Sequence, residues 1–323
     1  MTGKGALIDQ MGVALVAVLG VAAFFVFPED LGFMTRIAAT ALYVLSLDLI
    51  LGYGGIPSMG QAALFGAGAY AAGIASIRLV QDPIVLLGIG GVVGGLVALV
   101  TGTLILRARG LTLLMLTIAV GEIVREVVNK ARDYTGGSDG LGGVSAAPVF
   151  GTFRFDMYGR TGYLFALTVL VIGILVARRI VRSPFGLACR GVKEDPLRVV
   201  ALGGRPRRYL IVMYGISGVF AGVAGAVTAV TSGIVGLDSV SFSWSAEALV
   251  MLVLGGAGRL CGAIIGTVGF MTIHHILSAA DPFRWMLVIG AMLVAIVLFV
   301  PGGIVAVLDP AIARFRKRAE AKR

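Results

Sequence analysis

The sequence predicts an all-α integral membrane protein, a polytopic helical bundle of about 8–10 transmembrane segments in which some helices are short, glycine-broken or re-entrant. Three observations lead there. Only 14% of the 323 residues are charged and 58% are hydrophobic, whereas a soluble domain carries about 25% charged residues, so the surface has to be solvated by lipid. The apolar residues fall in runs of the length that crosses a hydrocarbon core of ~30 Å. Glycine fills 48 positions, about twice its usual ~7%, and inside apolar segments it lets helices approach closely or break. No long polar stretch remains for a soluble catalytic domain, and residues 1–323 read as one transmembrane domain.

The first run, 11–27, follows Lys4 in the manner of a signal peptide. Pro28-Glu29-Asp30 stands where a small-residue cleavage site belongs, so a retained first helix is expected. Further helices are expected over 33–51, 58–77, 84–106, 111–128, 162–177, 209–231 and 285–300. Fifteen of the 27 basic residues lie in just two stretches, 178–208 and 314–323. Clustered in this way, the net charge of +10 follows the positive-inside rule and implies no nucleic-acid partner. With a cytoplasmic N-terminus, Arg107 and Arg109 fall inside after four crossings and 178–208 after six, while 129–161 forms an outside loop.

For the basic C-terminus also to end inside, the remaining apolar run, 246–278, has to make no net crossing. Gly255-Gly256-Ala257-Gly258-Arg259 interrupts that run, and such a break is tolerated at membrane depth only where protein or a water-filled cavity surrounds it. A broken or re-entrant pair is therefore expected, with 52–73 as a second glycine-rich, short-helix element. The two regions share a short echo, from Ser58 through Gln61 to Leu64 against Ser243 through Glu247 to Leu249. Paired interrupted helices in internal repeats are a transporter feature, although a match this short also arises by chance.

Asp48, Glu122, Arg125 and Glu126 lie in or at the ends of expected spans, where an ionised group at the bilayer centre costs about 2.5–3.5 kcal/mol. Glu122 and Arg125, three residues apart, suit a local ion pair; Asp48 has no nearby sequence partner. Gly90/Gly94, Gly218/Gly222 and Gly258/Gly262/Gly266 present small faces for helix contacts within or between subunits. The stretch Thr135-Gly136-Gly137-Ser138-Asp139-Gly140-Leu141 reads as a plain turn, with an amide-lined anion turn as the alternative. Cys189, in the basic loop, and Cys261 have neither disulfide nor metal spacing. His274 and His275 are adjacent and point about 100° apart on a helix, a poor metal pair. No Gly-x-x-x-x-Gly-Lys-Ser/Thr loop and no nucleophile constellation occurs, so no catalytic residue, metal or cofactor is expected.

The most specific local element is Glu194-Asp195-Pro196-Leu197-Arg198-Val199-Val200-Ala201-Leu202-Gly203. It spells a two-turn helix with Asp195 as N-cap, Pro196 at the first position and Gly203 as the stop. Between two spans, such a helix is either an interfacial anchor on anionic lipid or a docking piece for a cytoplasmic partner.

Five blocks in register resemble the LivM-type permease subunits of branched-chain amino acid ABC transporters. They are 45–73 (LSLDLILGYGGIPSMGQAALFGAGAYAAG), 109–125 ending in Glu-Ile-Val-Arg, 135–141 (TGGSDGL), 183–225 (beginning SPFGLACRGVKEDPLRVVALGG) and 247–266 (EALVMLVLGGAGRLCGAIIG). The resemblance implies an inner-membrane permease, multi-pass in lipid with both termini cytoplasmic. It would be paired with a LivH-like second permease, two ABC ATPase subunits that carry the hydrolysis, and a periplasmic amino-acid-binding protein delivering leucine, isoleucine or valine. The helix Glu194 to Gly203 then becomes the ATPase-coupling helix, 178–208 the coupling loop, and Asp48, Gln61, Glu122 and Glu247 candidates for the translocation path. Two positions depart from the family pattern: Asp48 replaces a usual Asn, and Arg259 a usual small residue. The alternatives are the same architecture carrying urea, amides or another small solute, and an ion-coupled secondary transporter. A membrane-embedded enzyme would need a constellation that the sequence lacks.

Overall fold

The computed structural model describes residues 16, 18–25, 29–108, 110–148, 159–280, 290 and 303. The described residues are helical almost throughout. Of the first expected span, residues 16 and 18–25 are described and are helical; of 285–300, only residue 290 is described. The principal helices are α1 (Leu31–Asp48), α2 (Gln61–Arg78), α3 (Pro83–Ile105), α4 (Leu111–Lys130), a single turn α5 (Arg132–Thr135), α6 (Arg160–Arg182), α7 (Pro184–Glu194), α8 (Pro196–Ala201), α9 (Pro206–Ser232), α10 (Phe242–Gly255) and α11 (Leu260–Ala280). The only strands among the described residues, β1 (Leu141–Gly142) and β2 (Ile234–Val235), pair antiparallel with Leu141 opposite Val235.

Five of these helices are long and apolar enough to cross a membrane: α1 with its continuation to Tyr53, α3, α6, α9 and α11 up to Ala279. Two of their starts are set by local chemistry. Asp82 Oδ1 accepts the Ile84 N–H at 2.9 Å ahead of Pro83, and proline at the first turn gives up no hydrogen bond that the helix would otherwise make. Pro206 opens α9 in the same way. Helix α1 is the axis of the bundle, with Ile37 through Ile50 buried without interruption, because α9, α6, α11 and α10 pack around it.

The connections sort into two ends. At one end, Arg207 Nη2 of α9 donates to Thr103 O of α3 at 2.8 Å, and Lys193 Nζ of α7 donates to Gly52 O at 2.7 Å. At the other, Arg78 Nη2 donates to Asp133 O at 3.0 Å, Ala147 N to Gln81 O at 2.7 Å and Val144 N to Gly233 O at 3.1 Å. The basic stretch 178–208 thus lies with the α1–α2 and α3–α4 connections, as its charge pattern predicts.

The break in 246–278 falls at the expected glycines. Helix α10 has 14 residues, about 21 Å at 1.5 Å per residue, too short for a ~30 Å core. Helix α11 has 21 residues and is long enough. Between them Gly256 and Gly258 take φ of 103° and 85°, a region closed to most side chains. The hairpin leaves from and returns to the end where α9 finishes: its tip, Gly258, lies against Gly52, and His275 near its far end stacks on Phe33 of the first turn of α1 at 4.3 Å. Gly303 lies against Gly256 at the tip, opposite Ala280. The arms are unequal in length, which the hydropathy of the run did not reveal.

The glycine ladders are spent within the chain. Gly90 and Gly94 of α3 meet Gly218 and Gly222 of α9, and Gly68 of α2 meets Gly222; a Cβ on Gly222 would stand closer than 3.0 Å to the Gly90 carbonyl oxygen. Gly262 and Gly266 press on the backbone of Gly255 and Met251 across the α10–α11 hairpin. In lipid, where burying apolar surface between helices gains little, close backbone approach of this kind is a principal source of association.

A side chain at Gly222 has nowhere to go, whereas Gly88 on the same bundle meets nothing within 4 Å. Gly222→Leu is expected to cost at least the roughly 1–3 kcal/mol of an overpacked core and to lower the thermal unfolding midpoint of the detergent-solubilised protein. Gly88→Leu should leave it unchanged.

Candidate functional site

Helix α1 does not end cleanly. It passes into a π-helical turn, Leu49–Tyr53, and then into a largely buried non-helical stretch before α2 begins. Asp48, fully buried at the junction, accepts the Gly258 N–H on Oδ1 at 2.6 Å. Its missing sequence neighbour is therefore the tip of the α10–α11 hairpin. On the same turn, Lys193 Nζ of α7 donates to Gly52 O and the Arg190 guanidinium lies 4.7 Å from the centre of the Tyr53 ring.

The start of α2 is satisfied by other helices. Met59 N–H donates to Thr117 Oγ1 of α4 at 3.2 Å and Ala62 N–H to Ser245 Oγ of α10 at 2.9 Å. Gln61, fully buried, donates from Nε2 to Ser46 Oγ at 2.9 Å and to Ser217 Oγ at 2.7 Å, and Ser217 in turn donates to Ser46 O. This polar knot ties α1, α2 and α9 together. The Ser58–Leu64 and Ser243–Leu249 segments that echo each other in sequence are thus in direct contact.

A cavity of about 600 Å³ opens between α1, α4, α10 and α11. Among its lining residues are Arg36 from α1, Glu122 and Arg125 from α4, Asp238 from the turn before α10, Glu247 and Trp244 from α10, and His274 and His275 from α11. Of the four expected path residues, Glu122 and Glu247 face this cavity. Asp48 and Gln61 do not line it; they hold the helix breaks. Glu122 and Arg125 form the expected ion pair at 3.3 Å. Arg36 was missed as a candidate although it is a charge inside an apolar run. The two histidines carry no metal-ligand cluster among the described residues yet share the cavity wall.

At the basic end, the stretch expected as a loop is mostly helix. Ser183 Oγ accepts the Gly186 N–H at 3.3 Å ahead of Pro184 and so starts α7. Cys189, expected in a loop, is fully buried in α7, and burial pushes its thiol up to about 12. Glu194 closes α7 and is not part of the next helix. Asp195 Oδ1 accepts the N–H groups of Leu197 and Arg198 at 3.0 and 3.1 Å and caps α8. Leu202 is the C-cap and Gly203 follows at φ 81°. No residue of α8 is buried; Leu197 and Leu202 are 80% and 83% exposed. The glycine-rich stretch 135–141 is a turn: Thr135 Oγ1 donates to Val128 O and Ala131 O at 2.7 and 2.9 Å, while Ser138 and Asp139 point to the exposed surface.

The sequence matches the family described as branched-chain amino acid transport system, permease component, over residues 31–297. It is 27% identical over 321 residues to the high-affinity branched-chain amino acid transport system permease protein LivM of Escherichia coli (strain K12), covering 92% of this chain and 75% of that protein. It is also 29% identical over 242 residues to the probable branched-chain amino acid transport permease protein LivH of Methanocaldococcus jannaschii, covering 71% of this chain and 75% of that one. The probable LivM of the same organism is 26% identical over 316 residues, with 81% and 88% covered. No solved structure matches the chain.

Two outcomes follow from the site. Asp48→Asn keeps an oxygen for the Gly258 N–H and should cost no more than about 1 kcal/mol, whereas Asp48→Leu strands that buried donor and should cost about 1–3 kcal/mol, read as thermal unfolding in detergent. Because its thiol is buried and titrates far above neutrality, Cys189 in a Cys261→Ser background should stay unlabelled by maleimide from pH 7 to pH 9 in the folded protein and label fully once unfolded.

Proposed function

The chain belongs to the family of branched-chain amino acid transport permease components, and on that premise we propose that it is the permease subunit of an ATP-binding-cassette importer that carries leucine, isoleucine and valine across the inner membrane. The reading includes a second, homologous permease, two ATPase subunits and a periplasmic binding protein; similarity to relatives of both the LivM and LivH types supports pairing with a subunit of the same fold. The basic stretch 178–208 and both termini face the cytoplasm under the positive-inside rule, and 129–161 faces the periplasm.

The observation that carries the reading is α8. A capped helix with no buried residue, and with Leu197 and Leu202 held out into solvent, is shaped to dock. It joins α7, whose Lys193 grips the π turn of α1. A push on α8 from an ATPase would reach the broken axis of the bundle through that grip. The sequence has no phosphate-binding loop of its own, in keeping with hydrolysis on separate subunits.

In a strain lacking this chain, plasmid-borne wild type should restore uptake of labelled leucine, and depletion of ATP with the proton gradient held constant should abolish it. Uptake that survives ATP depletion would sink the importer reading in favour of ion coupling. Restoration of urea or amide uptake in place of leucine would keep the architecture and change the substrate. Leu197→Glu should leave the protein at normal abundance in the membrane while cutting uptake by about tenfold or more and releasing the ATPase subunits on purification.

A further inference from the structure

The cavity between α1, α4, α10 and α11 holds charges that the bundle itself does not use. Glu122 and Arg125 neutralise each other at 3.3 Å. Arg36 and Glu247 line the same cavity but form no hydrogen bond or ion pair with each other or with any other described side chain. Both sit on helices with few charges: α1, the axis of the bundle, carries only Asp48 besides Arg36, and α10 is a half-length helix with no other charge than Glu247. Arg36 is exposed and Glu247 half-buried; within a membrane span an ionisable group is costly unless it faces water or a partner, and the cavity is the face the two share. The unpaired cation Arg36 and the unpaired anion Glu247, with Asp238 as a second carboxylate in the lining and Trp244, Met251 and Phe270 supplying apolar wall, match a ligand that carries both charges and an aliphatic body. The volume, about 600 Å³, lies within the roughly 300–1,000 Å³ of small-molecule sites.

Resting on the importer reading, we propose that this cavity is a binding site for the free amino acid inside the permease: Arg36 takes the carboxylate, Glu247 the ammonium group, and the wall of Trp244 and Phe270 the branched side chain. The permease then checks its cargo as a zwitterion after the binding protein has released it. Urea, with neither charge, would leave both Arg36 and Glu247 unpaired, so this site discriminates against it by the penalty for stranded polar groups.

The test uses the purified membrane complex with its partner permease and ATPases, the binding protein omitted, and equilibrium binding of three ligands: leucine, leucinamide, which lacks the carboxylate, and 4-methylpentanoate, which lacks the ammonium group. Arg36→Gln should weaken leucine and 4-methylpentanoate by about ten- to a hundredfold and leave leucinamide unchanged. Glu247→Gln should weaken leucine and leucinamide to the same degree and spare 4-methylpentanoate. Arg36→Lys and Glu247→Asp should recover part of the loss. This crossed pattern is one that a merely structural role would not produce. Equal loss of all three ligands in both variants, or loss of the partner permease on purification, would overturn the proposal by showing that the charges serve folding or the subunit interface. Absence of saturable leucine binding in a wild-type complex that still imports leucine with its binding protein would overturn the proposal and leave the importer standing. A wild-type complex that imports no branched-chain amino acid would remove both.

Discussion

The structure turns on how a chain that breaks its helices inside a membrane disposes of the backbone groups it frees. Lipid offers no hydrogen bonds, so each N–H released by a break has to be met by protein. Some are met locally, as Gly55 and Ile56 are by the carbonyls of Leu51 and Ile50, and three are met by a short polar side chain from a helix distant in sequence. Thr117 meets Met59, Ser245 meets Ala62, and Asp48 meets Gly258, the last across 210 residues. None of these bonds forms until α1, α2, α4, α10 and α11 are already beside one another. The breaks and the bundle therefore specify each other. The same requirement explains why α1, which carries the π turn, is the most enclosed of the spanning helices: only an axis surrounded by protein can interrupt its own ladder.

The glycines make that enclosure possible. The α2, α3 and α9 faces meet at Gly68, Gly90, Gly94, Gly218 and Gly222, where side chains are excluded and backbones touch. This brings Ser217 of α9 near enough for Gln61 to bridge it to Ser46. A bridge of three short or medium side chains spans only helices packed this closely. Polar knot and glycine seam are two aspects of one contact: the seam sets the distance and the knot sets the register.

Much of this was legible in the sequence and some was not, for physical reasons. Hydropathy and glycine runs located the helices among the described residues and both breaks, since composition directly reflects exposure to lipid and freedom of the backbone. Asp195, Pro196 and Gly203 marked α8 because capping chemistry is local. Helix α7 went unread although Ser183-Pro184 carried the same kind of start signal; its Arg190, Lys193 and Glu194 suggested a solvated loop, and the buried face that includes Cys189 is only a few residues wide. The hydrogen bonds that place Asp48 and Gln61 at the helix breaks were not legible, because a buried polar residue that lines a channel and one that ties helices look alike in sequence. Only the position of Gly258, Ser46 and Ser217 distinguishes them. Arg36 was the opposite case, a visible charge in an apolar run whose significance depends on the cavity that distant helices build around it.

The geometry also bears on how a motion at α8 would be felt at the cavity under the proposed function. Lys193 grips a backbone carbonyl, Gly52 O, within a π turn. A π turn is already one residue out of step with the α-helical ladder, so small displacements there alter hydrogen bonding that is not at its optimum. From that turn, Asp48 holds the hairpin tip at Gly258, and α10 runs from the tip to Glu247, eight residues up from Gly255 and about 12 Å along the helix axis. Each link is a short bond into the backbone; none relies on the exposed ion pairs, which would yield to water and salt before transmitting force. A half-length helix fixed at its tip and free of a full span at its other end is the element of this bundle best placed to tilt. It carries at that other end Glu247 and Trp244, two of the residues that face the cavity.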